Sequence, residues 1–229
     1  AIAREEIRKN IFFGRGESVC VPVAPGSYLF SDIYRLEESS ERAAELLSEA
    51  GYRAGTDGVM QKEESGESLR FDLLVNRDND KRVAIAEKIK SNLKEIGAEV
   101  NIVSVGFADY ESRIKQGRYD LFLGEVKIGD DLDLSMFAGQ NARYSVYASE
   151  RMDRLLSACK TASNADAFAA SYHELEEAFL EEMPIIPLIM GTDALVLNSN
   201  VAGVEPPANG NVFANTAKWY IAAPQEAVQ

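Results

Sequence analysis

The sequence predicts an α/β fold in which a mixed, mainly parallel sheet is flanked by helices. Three observations predict it. Strand-length apolar runs alternate with helical stripes from residue 69 to residue 123. Glycines or capping residues stand at the junctions, as at Asn79, Gly97 and Gly117. The run Tyr119, Asp120, Leu121, Phe122, Leu123 is short, apolar and bounded by Gly117 and Gly124, the pattern of a strand covered on both faces. The order strand, helix, strand, helix, strand in so few residues requires right-handed crossovers between parallel strands. This reading puts the 119–123 strand at the middle of the fold.

Taken in order, Ile2, Ile7, Ile11 and Phe12 recur at helical spacing until Gly14. Gly14 and Gly16 follow a helix instead of joining a strand to one, which argues against a phosphate-cradling loop. A second helix is expected from Ser39 or Ser40 to Ala50, with Ala43, Ala44, Leu46 and Leu47 inward and Gly51 at its end. Asp57-Gly58 predicts a turn into a hairpin of 59–62 with 69–75. Val83, Ile85, Ala86, Ile89, Leu93 and Ile96 form the apolar stripe of a helix over 81–96. A strand over 99–105 and a helix over 108–116 then lead into 119–123. Further on, helices begin at Ser149, burying Met152, Leu155 and Leu156, and near Asn164, aligning Phe168, Tyr172, Leu175 and Phe179. Pro184 stops the latter, and strands are expected over 184–190 and 194–197. Residues 1–50 and 198–229 are read as peripheral to an α/β core over 69–197.

Composition excludes several classes. The chain has 229 residues, 46% hydrophobic and 27% charged, as in an ordinary globular domain, and no apolar run approaches the length of a membrane span. Its formal net charge of −13, from 24 basic and 37 acidic residues with no basic patch, argues against nucleic acid as a partner. Cys20 and Cys159 lack metal-ligand spacing and read as two thiols in preference to one bridge. The single histidine, His173, lies at the edge of a helix packing face and offers poor ground for nucleophilic or zinc chemistry. The opening AIAREEIRKNIFF has an amphipathic helix pattern and not that of a signal peptide.

The candidate site is the carboxyl edge of the sheet, where open α/β folds hold ligands. Glu125, Lys127, Asp130, Asp131 and Asp133 crowd the segment after 119–123. The turn Asn76, Arg77, Asp78, Asn79, Asp80 reaches the same edge, with Asp78 or Asn79 capping the next helix and Arg77 and Asp80 facing the cleft. Tyr144 and Tyr147 supply amphipathic rings from a later loop. The acids at 130, 131 and 133 leave open a second class, a small α/β enzyme with a divalent ion. They lack the glycine and distal glutamate of a calcium loop.

Several stretches together resemble a known family. SSERAAELLSEAGY, DGVMQKE and LRFDLLVNRDNDKRVAIAEKIKSNLKEIGAEVNIVSVGFADYESRIKQGRYDLFLGEV, followed by MPIIPL and VFANTAKWY, are similar in order to the carboxyl-terminal lobe of extracellular solute-binding proteins, family 5. These are the oligopeptide-, dipeptide- and nickel-binding receptors of ABC importers. The resemblance implies a periplasmic-binding-protein-like (type II) lobe, residues 1–229, from a two-lobed clamshell whose larger amino-terminal part, signal peptide and lipid-bearing cysteine precede it. It implies a monomer, without enzymatic activity or cofactor, that serves permease subunits from outside the cell, membrane-anchored or periplasmic. The expected ligand is a peptide or other small solute. Carried over by position, a family motif of glycine, tryptophan, two small residues and an amino-group-binding aspartate falls on Gly124 to Ile128. Glu125 replaces the tryptophan and Ile128 the aspartate, so Glu125 or Asp130 would have to take over that charge. The position near Asp80 corresponds to one that helps place a peptide's far end in some members.

Overall fold

The computed structural model describes residues 1–31, 33–34, 38–129, 131–140, 142–145, 147–192, 195–205, 211, 213 and 215–222. Helix α1 (Arg4–Asn10) leads through strand β1 (Glu17–Ser18) and a long loop to helix α2 (Ser40–Glu49). Strands β2 (Tyr52–Ala54) and β3 (Met60–Lys62) form an antiparallel hairpin. Then come β4 (Arg70–Asn76), α3 (Asp80–Glu95), β5 (Glu99–Val105), α4 (Phe107–Lys115) and β6 (Leu121–Phe122). Helices α5 (Glu150–Thr161) and α6 (Ala165–Glu182) follow, then the short strands β7 (Ile189–Met190), β8 (Val201–Ala202) and β9 (Tyr220–Ile221).

The parallel crossovers are as the alternation predicts, but the middle strand is a different one. The sheet order is β5-β4-β6, so β4 is central and β6 lies at an edge among the described residues. Leu121 and Phe122 are only half-buried, and the deeply buried positions are Leu73, Leu74 and Val75. The cause is local. The Asp120 carboxylate accepts the Asp72 amide at 2.7 Å, so a side chain stands where a longer ladder would have put a carbonyl.

The predicted hairpin of 59–62 with 69–75 is also different. Strand β3 pairs with β2, and across the EESGES turn its pairing with the next segment stops at Leu69, whose amide donates to the Met60 carbonyl at 2.8 Å, before the chain enters the parallel ladder. Met60 donates its amide to the Gly97 carbonyl at 2.8 Å, which ties this hairpin to the end of α3. Gly97 has φ +79°, and a Cβ there would meet the Met60 side chain at 2.6 Å, so the position demands glycine twice over.

Two hydrophobic clusters organise the chain. One packs Leu73, Val75 and Val100 of the sheet against Ile85 and Ile89 of α3, with Ile7 of α1 sealed among them. The other packs Met152 and Leu156 of α5 against Tyr172, Leu175 and Phe179 of α6, under Val21, Val23 and Leu29 from the long loop. Ile7, Val21, Val23 and Leu29, from the segment expected at the periphery, thus contribute to the two cores. Arg4 helps to hold them: it is buried, and its Nε donates to the Pro187 carbonyl at 2.9 Å.

Helix α2 has no buried residue, and Leu46, expected inward, is 49% exposed. The strand predicted over 184–190 shrinks to Ile189–Met190, paired with β1, because Pro184 and Pro187 cannot donate to a ladder. Residues 195–197 form no strand, Ala194 lies outside the described residues, and the late pairing is β8 with β9.

Side chains cap the helices where expected. Ser39, Asn79, Ser149 and Asn164 each accept an amide from the first turn of α2, α3, α5 and α6. Asn79 is thus the cap that the sequence left between Asp78 and Asn79, its Oδ1 accepting the Arg82 amide at 3.1 Å. Asn79→Ala is expected to lower stability by about 1 kcal/mol. A lower urea midpoint at unchanged slope is the measurement that checks it.

Candidate ligand-binding site

Strands β4 and β6 run in parallel with Leu74 beside Phe122, and Leu123 donates its amide to the Leu74 carbonyl at 3.1 Å. Asn76 and Arg77 therefore leave the sheet at the same end as Gly124 and Glu125. With the order β5-β4-β6, the crossovers diverge between β4 and β6, which makes that gap the topological switch point.

The turn after β4 is built from its own side chains. Asn76 is buried, and its Oδ1 accepts the Asp78 amide at 3.0 Å. Asp78 in turn accepts the Phe107 amide at 2.8 Å, joining this turn to the start of α4. Arg77 is exposed, with Asp78 4.0 Å away, and Asp80 opens α3 as an exposed acid where the helix dipole favours one. Arg77, Asp78, Gly106, Phe107 and Asp109 line an open depression of about 640 Å³. Phe107 is 50% exposed, an aromatic surface beside the arginine that the sequence did not single out.

Across the gap, Gly124, Glu125 and Lys127 are exposed. Glu125 meets Arg82 of α3, Oε2 to Nη2 at 3.3 Å, and Tyr110 of α4 donates its hydroxyl to the Leu123 carbonyl at 2.9 Å. Burial raises the Tyr110 phenol above its ordinary range, so it stays protonated and keeps donating. Arg82 carries no signal in the sequence, because it is one of several charged residues beside the apolar stripe of α3 and its partner is 43 residues away.

The other candidates face elsewhere. Ile128 is partly buried against the α5–α6 cluster, as are Val126 and Leu132. Tyr144 packs there too, between Phe122 and Phe137 at ring distances of 6.5 and 6.3 Å, with the Arg143 guanidinium over its face. Asp130 lies outside the described residues.

Asp133 is engaged with its surroundings. It accepts the Ser135 amide and hydroxyl, both at 2.9 Å, and pairs with Lys160 at 3.1 Å. Partial burial opposes its ionisation, but these hydrogen bonds and the lysine outweigh it and hold the carboxyl below the usual range. Among the described residues no group of three or more His, Cys, Asp or Glu is placed to hold a metal ion. His173 bonds Glu176 within α6, Nδ1 to Oε2 at 2.8 Å, and Cys159 is a free thiol.

Solved structures with this arrangement include solute-binding proteins. NikZ from Campylobacter jejuni, in complex with Ni(L-His), superposes with a TM-score of 0.75 at 21% identity, covering 95% of this chain and 46% of that one. The oligopeptide-binding protein AppA from Bacillus subtilis, in complex with a nonapeptide, superposes with a TM-score of 0.73 at 22% identity, covering 96% and 45%. The fold is therefore an α/β lobe of this type. In sequence, AppA of Bacillus subtilis (strain 168) is 24% identical over 233 residues, 97% of this chain and 42% of the relative's length. Residues 1–143 match the model of bacterial extracellular solute-binding proteins, family 5 middle, and the chain belongs to that family. It spans less than half the length of the curated relative it matches.

Proposed function

We infer that this chain is the carboxyl-terminal lobe of a two-lobed receptor that holds a peptide, without altering it, against an amino-terminal lobe. The observation that carries the reading is the shared rim. The turn from Asn76 to Asp80 and the segment from Gly124 to Lys127 leave neighbouring parallel strands on one side, in a chain of this family. Both present polar groups there, with no catalytic machinery beside them among the described residues. Closure of a second lobe over this rim would bury the ligand and give permease subunits of an ABC importer a signal to recognise. That role places the whole protein outside the cytoplasm, anchored or periplasmic, as a monomer.

Peptide specificity is expected to depart from amino-terminal recognition by an aspartate, because the uncharged Ile128, partly buried against the α5–α6 cluster, stands at that position. The test is titration calorimetry of the full-length protein with pools of free and amino-acetylated peptides. Saturable binding is expected, with a Kd weakened less than about threefold by acetylation, since a lost charged hydrogen bond would weaken it by roughly tenfold or more. No heat with any pool overturns the peptide reading.

A further inference from the structure

We propose that Glu176 and His173 form a proton-held latch that keeps the long loop, residues 19–31 and Tyr34, seated on α6, and that loss of the proton they share opens the loop while α5 and α6 stay packed. The latch stands whether or not the chain holds a peptide. The Glu176 side chain is 0% exposed, and its Oε2 lies 2.8 Å from Nδ1 of His173, whose side chain is 41% exposed. One proton serves both groups, either as a neutral acid donating to a neutral ring or as a carboxylate accepting from a charged one. In both forms the pair is neutral overall. Without that proton a net negative charge is sealed in the core, and Glu176 Oε1 has no hydrogen-bond partner among the described residues.

The titratable groups around the pair offer that charge no relief. Tyr34 and Tyr28 come from the loop, Cys159 from α5 and Asp133 from the segment after β6, while Tyr172 and Glu177 share α6. Each of these is neutral or negative, and Lys160 is already paired with Asp133 at 3.1 Å. The Tyr172 hydroxyl, one turn before Glu176, is likewise buried without a partner among the described residues. Burial therefore pushes the Glu176 carboxyl up to about 7, against the opposing pull of His173.

The loop is the element that yields. Residues 19–31 contain no helix or strand, and they are held by the insertion of Val21, Val23 and Leu29 into the α5–α6 cluster. A polar tie to α6 is long: the Tyr34 hydroxyl donates to the His173 carbonyl at 3.3 Å. The Cys20 thiol donates to the Tyr34 carbonyl at 2.6 Å, so Tyr34 and the start of the loop move together. The residue that shares the proton thus also carries the loop's tie. Both helices keep their own backbone bonds when the loop lifts, so opening there admits water to Glu176 with the least structure lost.

The test is amide hydrogen exchange by NMR of the 229-residue chain from about pH 5 to about pH 8.5, expressed as protection relative to an unstructured chain at each pH. The reporters are the Val23 and Phe30 amides, bonded to the Val21 and Ser27 carbonyls at 2.8 and 3.1 Å, with Leu175 and Phe179 of α6 for comparison. A closed state that keeps a proton the open state releases makes opening easier as pH climbs to the folded value, and no easier above it. Loop protection is expected to lie below that of α6 throughout and to fall roughly tenfold to a hundredfold between about pH 5 and about pH 7.5. In Glu176→Gln the loop profile is expected to be flat. In His173→Ala, where the opposing pull on the carboxyl is gone, the fall is expected to continue to higher pH. Loop protection independent of pH in the parent chain overturns the latch, because opening then releases no proton. Loop protection equal to that of α6 at every pH also overturns it, because the loop then leaves only with the whole fold. A His173→Ala profile identical to the parent's overturns the sharing of the proton.

Discussion

The thermal midpoint of the chain is expected to fall between pH 5 and pH 7.5 relative to that of Glu176→Gln, which should become the more stable of the two at the upper end. Glu176 is fully buried in α6 and its Oε1 has no hydrogen-bond partner among the described residues. Burial pushes its carboxyl up from 4.5 to about 7, against the opposing hydrogen bond and charge of His173. A group whose folded value is raised gives its full stability below the unfolded value and loses it as pH climbs through the folded one. The native state therefore holds a proton that the unfolded chain has already released, and folding weakens across that window. A displacement of this size corresponds to at most roughly 3 kcal/mol. Glutamine imitates the protonated acid at every pH, so the difference between the two curves isolates Glu176 together with its contact to His173. Parallel curves would show that Glu176 is not strained by its surroundings.

Leu175→Ala is expected to destabilise the chain by about 2–5 kcal/mol, the cost of lost burial plus the cavity left behind. Leu175 is 1% exposed at the junction of α5, α6 and the long loop. Leu46→Ala is the control, expected within about 0.5 kcal/mol of the parent because Leu46 lies on the open face of α2. Urea denaturation of both variants checks the pair. Equal losses would mean that α2 is covered by something that packs as tightly as the core.

Those two leucines also show how far the sequence could be read. Periodicity marks both as inward, and it is right for α6, whose stripe of Tyr172, Leu175 and Phe179 has α5 to pack against. On α2 the same spacing leaves no residue buried among the described residues, since an amphipathic pattern says which residues share a face and not how fully anything covers that face. Caps were legible because they act within one turn, as with Ser149 and Asn164. Strand order was not, because the Asp120 side chain that ends the β6 ladder reaches a residue 48 positions away. At the site, Asn76, Arg77, Gly124 and Glu125 follow from the rule that parallel strands share a carboxyl edge. The packing of Tyr144 and Ile128 was not legible, because a loop residue's direction depends on distant contacts, here with Phe137 and the α5–α6 cluster.

The bond from the Phe107 amide to Asp78 has one further consequence. It clamps two successive crossover turns to each other before any guest arrives, so their freedom is surrendered during folding and not at capture. Whatever settles on that half of the edge meets a stiff surface, and the disorder given up on association falls mainly on the visitor.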